Sequence, residues 1–168
     1  MKIKIEIKSR WFGKILFEYE KEDNTIKDTI EAAIKQGADL TGAYLTGAKD
    51  IPYIPLACPS DGAFIGWKKV RPSIEYGQES YLVKLEIPED ALRSSATSSK
   101  CRCNKAKVLE ITSLKTGKRI DIITNTNKKP CKYKVGEMVI PDSFDEDRWN
   151  ECSHGIHFFI NKEEAINY

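Results

Sequence analysis

Between Arg93 and Lys105 the chain places Ser94, Ser95, Thr97, Ser98 and Ser99 among Arg93, Lys100, Arg102 and Lys105, and there is no acid from Ala91 to Leu109. Phosphate recognition calls for that mixture: guanidinium forks for two-point contact, hydroxyls and backbone N–H groups for the remaining oxygens. Upstream, Trp67 stands with Lys68, Lys69 and Arg71, a flat indole face beside cations, suited to stacking a base. Taken singly, a serine-rich loop and a tryptophan on a strand are more often structural than functional. Together they point to a small phosphorylated, nucleotide-like ligand, with Trp67 for stacking, Lys69, Arg93, Lys100 and Arg102 for phosphate, Ser95 and Thr97 as hydroxyl donors, and His157 as a polar edge contact.

Two sharper chemistries are weaker. Cys101, Cys103, Cys152, His154 and His157 supply enough thiolate and imidazole for tetrahedral zinc, yet zinc-binding cysteine pairs are usually spaced two to four residues apart and a lone C-x-C is a poor signature. The expectation is no metal and no cofactor. For catalysis, neither histidine is followed by the x-Thr or x-Ser of paired-histidine phosphodiester cleavage, and H-E-x-x-H, G-x-S-x-G and the phosphate-binding G-x-x-x-x-G-K-[ST] are all missing. Cys152 near His154 has the types of a nucleophile and base, and Arg93-Ser94-Ser95 is a loose echo of ADP-ribose transfer. No residue is assigned a catalytic role. Binding is favoured over an enzyme acting on a nucleotide or protein, and over a pure protein-interaction module.

The bulk properties agree with a binding protein of ordinary globular composition. A net charge of +2 over 168 residues does not suit a sequence-specific nucleic-acid binder. Charge is instead segregated: the acid-free 91–109 stretch, a second from Ile122 to Gly136 with Lys128, Lys129, Lys132 and Lys134, and an acidic run from Asp142 to Glu151. The longest apolar runs, such as Ile156 to Ile160, are strand-length, so no membrane partner is expected. Five cysteines without an export signal argue for reduced thiols and a cytoplasmic setting.

The elements that must position these residues follow from periodicity. Lys2 to Lys8 and Lys14 to Glu20 alternate apolar and charged residues around a Ser9–Gly13 turn, predicting a β-hairpin whose edge offers a route to a homo-oligomer. Asp23-Asn24-Thr25 offers helix caps before Ile26, Ile30, Ala33 and Ile34, and Gly37 stops the helix. Ala38-Asp39-Leu40-Thr41-Gly42 and Ala43-Tyr44-Leu45-Thr46-Gly47 repeat a five-residue pattern. Two units cannot stand alone as a solenoid, since roughly three or more are needed to bury a continuous face. Pro52, Pro55 and Pro59 mark a linker. Strands are expected at Phe64–Val70, Tyr81–Ile87, Lys107–Thr112, Arg119–Thr124, Glu137–Ile140 and Gly155–Ile160, with helical turns at Pro88–Leu92 and Lys162–Tyr168. The expected class is α+β: hairpin, helix and repeat stub over 1–50, a proline-rich linker over 51–62, and a mainly antiparallel β domain with short helices over 63–168.

The opening hairpin, the helix feeding the repeat, Phe64-Ile65-Gly66-Trp67-Lys68-Lys69, Arg93-Ser94-Ser95-Ala96-Thr97 with Lys100-Cys101-Arg102, and Trp149 with Glu151 to Phe159 together resemble pentapeptide-repeat proteins of bacteriophages that end in a domain of unknown function. The resemblance implies a viral origin, hence the cytoplasm of an infected bacterial host, and brings no mechanism with it. Relatives of that type carry more repeat units than the two present here. A protein that sequesters a nucleotide signal of host defence suits such a source.

Overall fold

The alternating hydrophobic pattern of the sequence resolves, in a computed structural model, into antiparallel sheets and, among the described residues, two short helices. The structure describes residues 1–52, 54–72, 79–125 and 130–168. Lys128 and Lys129, part of the second acid-free stretch, lie outside the described residues.

Strands β1 (Lys2–Lys8) and β2 (Ile15–Glu22) form the expected hairpin, with a bulge at Ile7/Lys8. Helix α1 (Ile26–Lys35) starts where the capping pattern puts it: Thr25 accepts from the Asp28 amide at 3.2 Å and Asp28 accepts from the Thr25 amide at 3.0 Å. This reciprocal box satisfies two amides that the first helical turn leaves without intrahelical partners. Ile30 and Ala33 of α1 bury against Ile7, Ala43 and Leu45, with Trp149 from the far end of the chain packed onto them.

The two five-residue units make matching turns. The Ala43 amide donates to Leu40 O at 2.9 Å and the Ala48 amide to Leu45 O at 3.0 Å. Gly42 and Gly47 sit at φ +73° and +74°, a left-handed conformation that glycine adopts at little cost.

Seven strands build the main sheet in the order β10 (Met138–Val139), β7 (Ala106–Ser113), β4 (Tyr81–Ile87), β3 (Phe64–Val70), β11 (Ile156–Phe159), β6 (Lys100–Cys103) and β5 (Arg93–Ser95). Every neighbouring pair is antiparallel. A separate hairpin, β8 (Ile122–Asn125) with β9 (Cys131–Lys134), lays Ile123 and Tyr133 on the core. Side chains alternate across each strand, so Val83, Leu85, Cys101, Cys103, Ile156 and Phe158 form the main core on one face. On the other face Leu82, Trp67 and Phe159 pack under helix α2 (Lys162–Asn167), capped by Asn161, whose side chain accepts from the Glu163 amide at 2.8 Å.

The described chain is therefore mainly antiparallel β with two short helices. The 88–92 segment makes a single turn closed by the Ala91 amide on Pro88 O at 3.0 Å. The strand expected over Arg119–Thr124 begins later, at Ile122.

Candidate functional site: a cationic cleft beside the central strand

The cleft begins where two strands part. β3 and β11 share one register pair, Phe159 with Trp67. Gly66 makes room for Phe158: a Cβ on that glycine would lie 2.6 Å from the Phe158 ring. Past this point Lys68 stands in for a missing backbone donor, its ammonium reaching His157 O at 3.0 Å. The opening is a cavity of about 1280 Å³, walled by the ends of β3, β6 and β11, the β8–β9 hairpin, the 138–142 strand end and the 150–157 loop.

Among the described residues five cations line it: Lys68, Lys69, Arg71, Lys100 and Lys132. Among the described residues the one lining side chain with a carboxylate is that of Asp142, which faces His154 Nδ1 at 3.4 Å. Among the described residues Lys68, Lys69, Lys100 and Lys132 form no ion pair. Lys69 donates to Ile166 O at 2.8 Å. Lys100 is 8% exposed; its ammonium lies 3.4 Å from Cys152 Sγ and 5.7 Å from the centre of the Tyr168 ring. A buried ammonium without a carboxylate is costly, because water has been removed and no anion replaces it.

The titration behaviour reflects the same surroundings. Burial pushes Lys68 down to about 8, helped by the Lys100 charge and resisted by the Cys131 and Cys103 thiols. Burial also pushes His157 down to about 4; its bond to Ser153 O opposes this, and Lys68, Lys100 and Arg102 add to it. His157 is thus neutral near pH 7. Its Nε2 lies 2.8 Å from Ser153 O, and a carbonyl accepts, so Nε2 carries the proton and Nδ1 is left as an acceptor.

Of the eight residues singled out in the sequence, Lys69, Lys100 and His157 line this cavity, and Trp67, Arg93, Ser95, Thr97 and Arg102 do not. The hydroxyl-rich segment is not a loop around a ligand; it is the β5–β6 hairpin at the sheet edge, and its polar groups join distant pieces of chain. Arg93 stacks at 5.1 Å on the Phe64 ring and directs its guanidinium at backbone carbonyls, among them Gly62 O at 2.8 Å, Pro88 O at 2.9 Å and Glu89 O at 2.7 Å. Arg102 is fully buried and donates to Asp145 O at 3.0 Å, Asp147 O at 2.9 Å and His154 O at 2.7 Å. Ser95 Oγ accepts from the Ala57 amide at 2.7 Å, and Thr97 donates to Ala43 O at 3.2 Å. Trp67 packs beneath α2, between the ammonium groups of Lys84 and Lys162 at 5.7 and 5.4 Å.

The cysteines and histidines do not converge. Cys101 and Cys103 point into the core, where Cys101 shares a hydrogen bond with Cys58 that, with burial, raises the Cys101 thiol. Cys152 and His154 are exposed on the 150–157 loop. Among the described residues no three His, Cys, Asp or Glu side chains are placed to hold a metal ion, and no helix is long and apolar enough to cross a membrane.

Periodicity could not reveal Lys68 and Lys132 as partners in one cleft, since they stand on strands of different sheets. The surrounding loop also hides a carboxylate. Glu151 is 3% exposed, is held by Arg10 and Ser98, and does not line the cavity.

The fold and the cleft define a mainly antiparallel β-sheet protein with a basic, partly desolvated cavity. The chain belongs to a family of unknown function (DUF5758), whose model matches residues 54–165. It is also similar to an uncharacterized protein of Acanthamoeba polyphaga mimivirus, 36% identical over 96 residues that cover 52% of this chain and 61% of the relative. The chain thus spans about three-fifths of that relative's length. No solved structure matches.

Proposed function

We propose that the cleft captures a small phosphorylated, nucleotide-like ligand and holds it without turnover. One observation carries the reading: among the described residues Lys100 is a buried ammonium that lacks a carboxylate, in a cavity lined by three further lysines that form no ion pair. A phosphate group would replace the missing anion with charge-assisted hydrogen bonds in a setting where screening by water is reduced. The apolar rim formed by Met138 and Ile140, both exposed, offers a surface for the uncharged body of the ligand.

The source of the protein belongs to the same proposal. Matching turns at Leu40–Ala43 and Leu45–Ala48 support reading the two units as a pentapeptide-repeat stub. The mimivirus relative supports a virus-encoded protein. A bacteriophage accessory protein that sequesters a nucleotide signal of host defence joins these features, acting in the cytoplasm of the infected cell.

Calorimetric titration with a panel of mono-, di- and cyclic nucleotides, and with inorganic phosphate, tests the reading. A bound panel member should lose about tenfold or more in affinity in Lys100→Met, since a charge-assisted hydrogen bond contributes about 1.5–3 kcal/mol. Its affinity should also fall as pH rises through about 8, where Lys68 gives up its proton. Ligand recovered intact after heat release supports capture; altered ligand supports an enzyme. Equal binding by the wild type and Lys100→Met would overturn the assignment of the site.

A further inference from the structure

We propose that Cys152 is a covalent modification site selective for small disulfides that carry carboxylates, with the charge of the cleft choosing the reagent; the proposal rests on the cationic character of the cleft described above. Of the five cysteines, Cys58, Cys101 and Cys103 are buried and Cys131 is half-buried, while Cys152 alone is exposed. Its sulfur is the one hydrogen-bond acceptor that the Lys100 ammonium has among the described residues, at 3.4 Å. Lys100 is more than nine-tenths buried and lines the cavity. The site therefore presents, side by side, a nucleophilic sulfur and a cation whose natural partner is an anion from outside the protein.

Geometry sorts the reagents. A disulfide bearing carboxylates can set one of them on Lys100, with Lys68 and Lys132 also lining the cavity, and so bring its S–S bond beside Cys152 Sγ. A disulfide bearing amines meets the same lysines as like charges. The nearest acid in sequence, Glu151, is turned into the junction with Arg10 and Ser98 and cannot reverse the preference.

In the reaction the Cys152 thiol gives its proton to solvent, and the thiolate attacks one sulfur of the reagent. The protein–reagent S–S bond forms as the reagent's own S–S bond breaks. The departing thiolate leaves with the bonding pair and takes up a proton according to its own acidity. The reagent disulfide is the oxidant, one half of it being reduced to a thiol, and no other reactant is required.

The test compares glutathione disulfide, which is anionic, with cystamine, which is cationic, by intact-protein mass spectrometry over time. Each rate is divided by the rate of the same reagent with a small neutral thiol. At low salt the normalised ratio of anionic to cationic reagent should be about tenfold or greater, the scale on which charged clefts concentrate a substrate. It should fall towards one in about 1 M salt, where the screening length is near 3 Å, and in Lys100→Met. Peptide mapping should place the adduct on Cys152, and Cys152→Ser should abolish it. A ratio near or below one in wild type at low salt, or an adduct on Cys131 instead, would overturn the proposal. The salt series on the wild type keeps the test decisive should Lys100→Met fold poorly. Adding a panel nucleotide separates the two readings: slower labelling supports both, whereas unchanged labelling with the selectivity intact counts against nucleotide capture alone.

Discussion

Replacing Arg102 with alanine removes a guanidinium that lies on the sheet face opposite the main core and holds the 144–154 loop down. The side chain is 1% exposed, stacks at 5.5 Å on the Phe144 ring, and donates to the carbonyls of Asp145, Asp147 and His154. Burial lowers its pKa below the ordinary arginine value, and the charges of Asp145, Asp147 and Glu151 oppose that effect. Three charge-assisted bonds at about 1.5–3 kcal/mol each set an upper bound near 9 kcal/mol. Water entering the vacated space re-solvates part of the loop, so the expected loss is about 3–5 kcal/mol, the range for breaking a buried charged set. For a chain of this size that corresponds to a fall in Tm of about 6–20 °C. Urea unfolding followed by far-ultraviolet circular dichroism measures it, provided the slope of the transition stays unchanged. Arg102→Lys should recover less than half the loss, because one ammonium cannot span three carbonyls. A loss under about 1 kcal/mol in the alanine variant would show that the loop is held by other contacts.

Glu151→Gln leaves Arg10 facing a neutral amide in a buried junction and should cost about 3 kcal/mol, read by the same unfolding assay. Gly66→Ala drives a methyl into the Phe158 ring and should cost about 1–3 kcal/mol, with a loss of near-ultraviolet dichroism as the ring is displaced. His157 titrates at about 4 when folded against about 6.5 in an unfolded chain. Between those values the unfolded state binds more protons, so this group contributes stability that is full above pH 6.5 and is lost as pH falls to about 4. The difference in pH dependence between the wild type and His157→Gln should amount to about 2–3 kcal/mol over that window; parallel curves would refute the assignment.

What the sequence revealed divides along a physical line. The hairpin, helix α1 and helix α2 rest on contacts between residues a few positions apart, and spacing alone exposes those. The site depended on contacts between residues far apart. Arg93 and Arg102 have the charge and neighbours of phosphate ligands, but all three carbonyls that Arg102 meets, and those of Pro59 and Gly62 that Arg93 meets beside its nearer partners, come from segments about 30 to 50 residues away, and no local pattern announces that pairing. Lys69, Lys100 and His157, named by the same reasoning, do line the cavity. Lys68 was visible only as a neighbour of Trp67. Its place in the cleft follows from the parting of β3 and β11, which depends on Gly66 and Phe158 together.

Strand β11 sits in the middle of the seven-stranded sheet, between β3 and β6, although some ninety residues of chain separate it from β3. During synthesis, the ribosome must therefore deliver residue 159 before the sheet can close. Until then β3 and β6 face each other across a gap, each with an unzipped edge that a second nascent copy could occupy. Pairings across such long intervals also slow folding. A chain interrupted anywhere before Ile156 would lose its seam, with consequences for the whole sheet rather than for its tail alone.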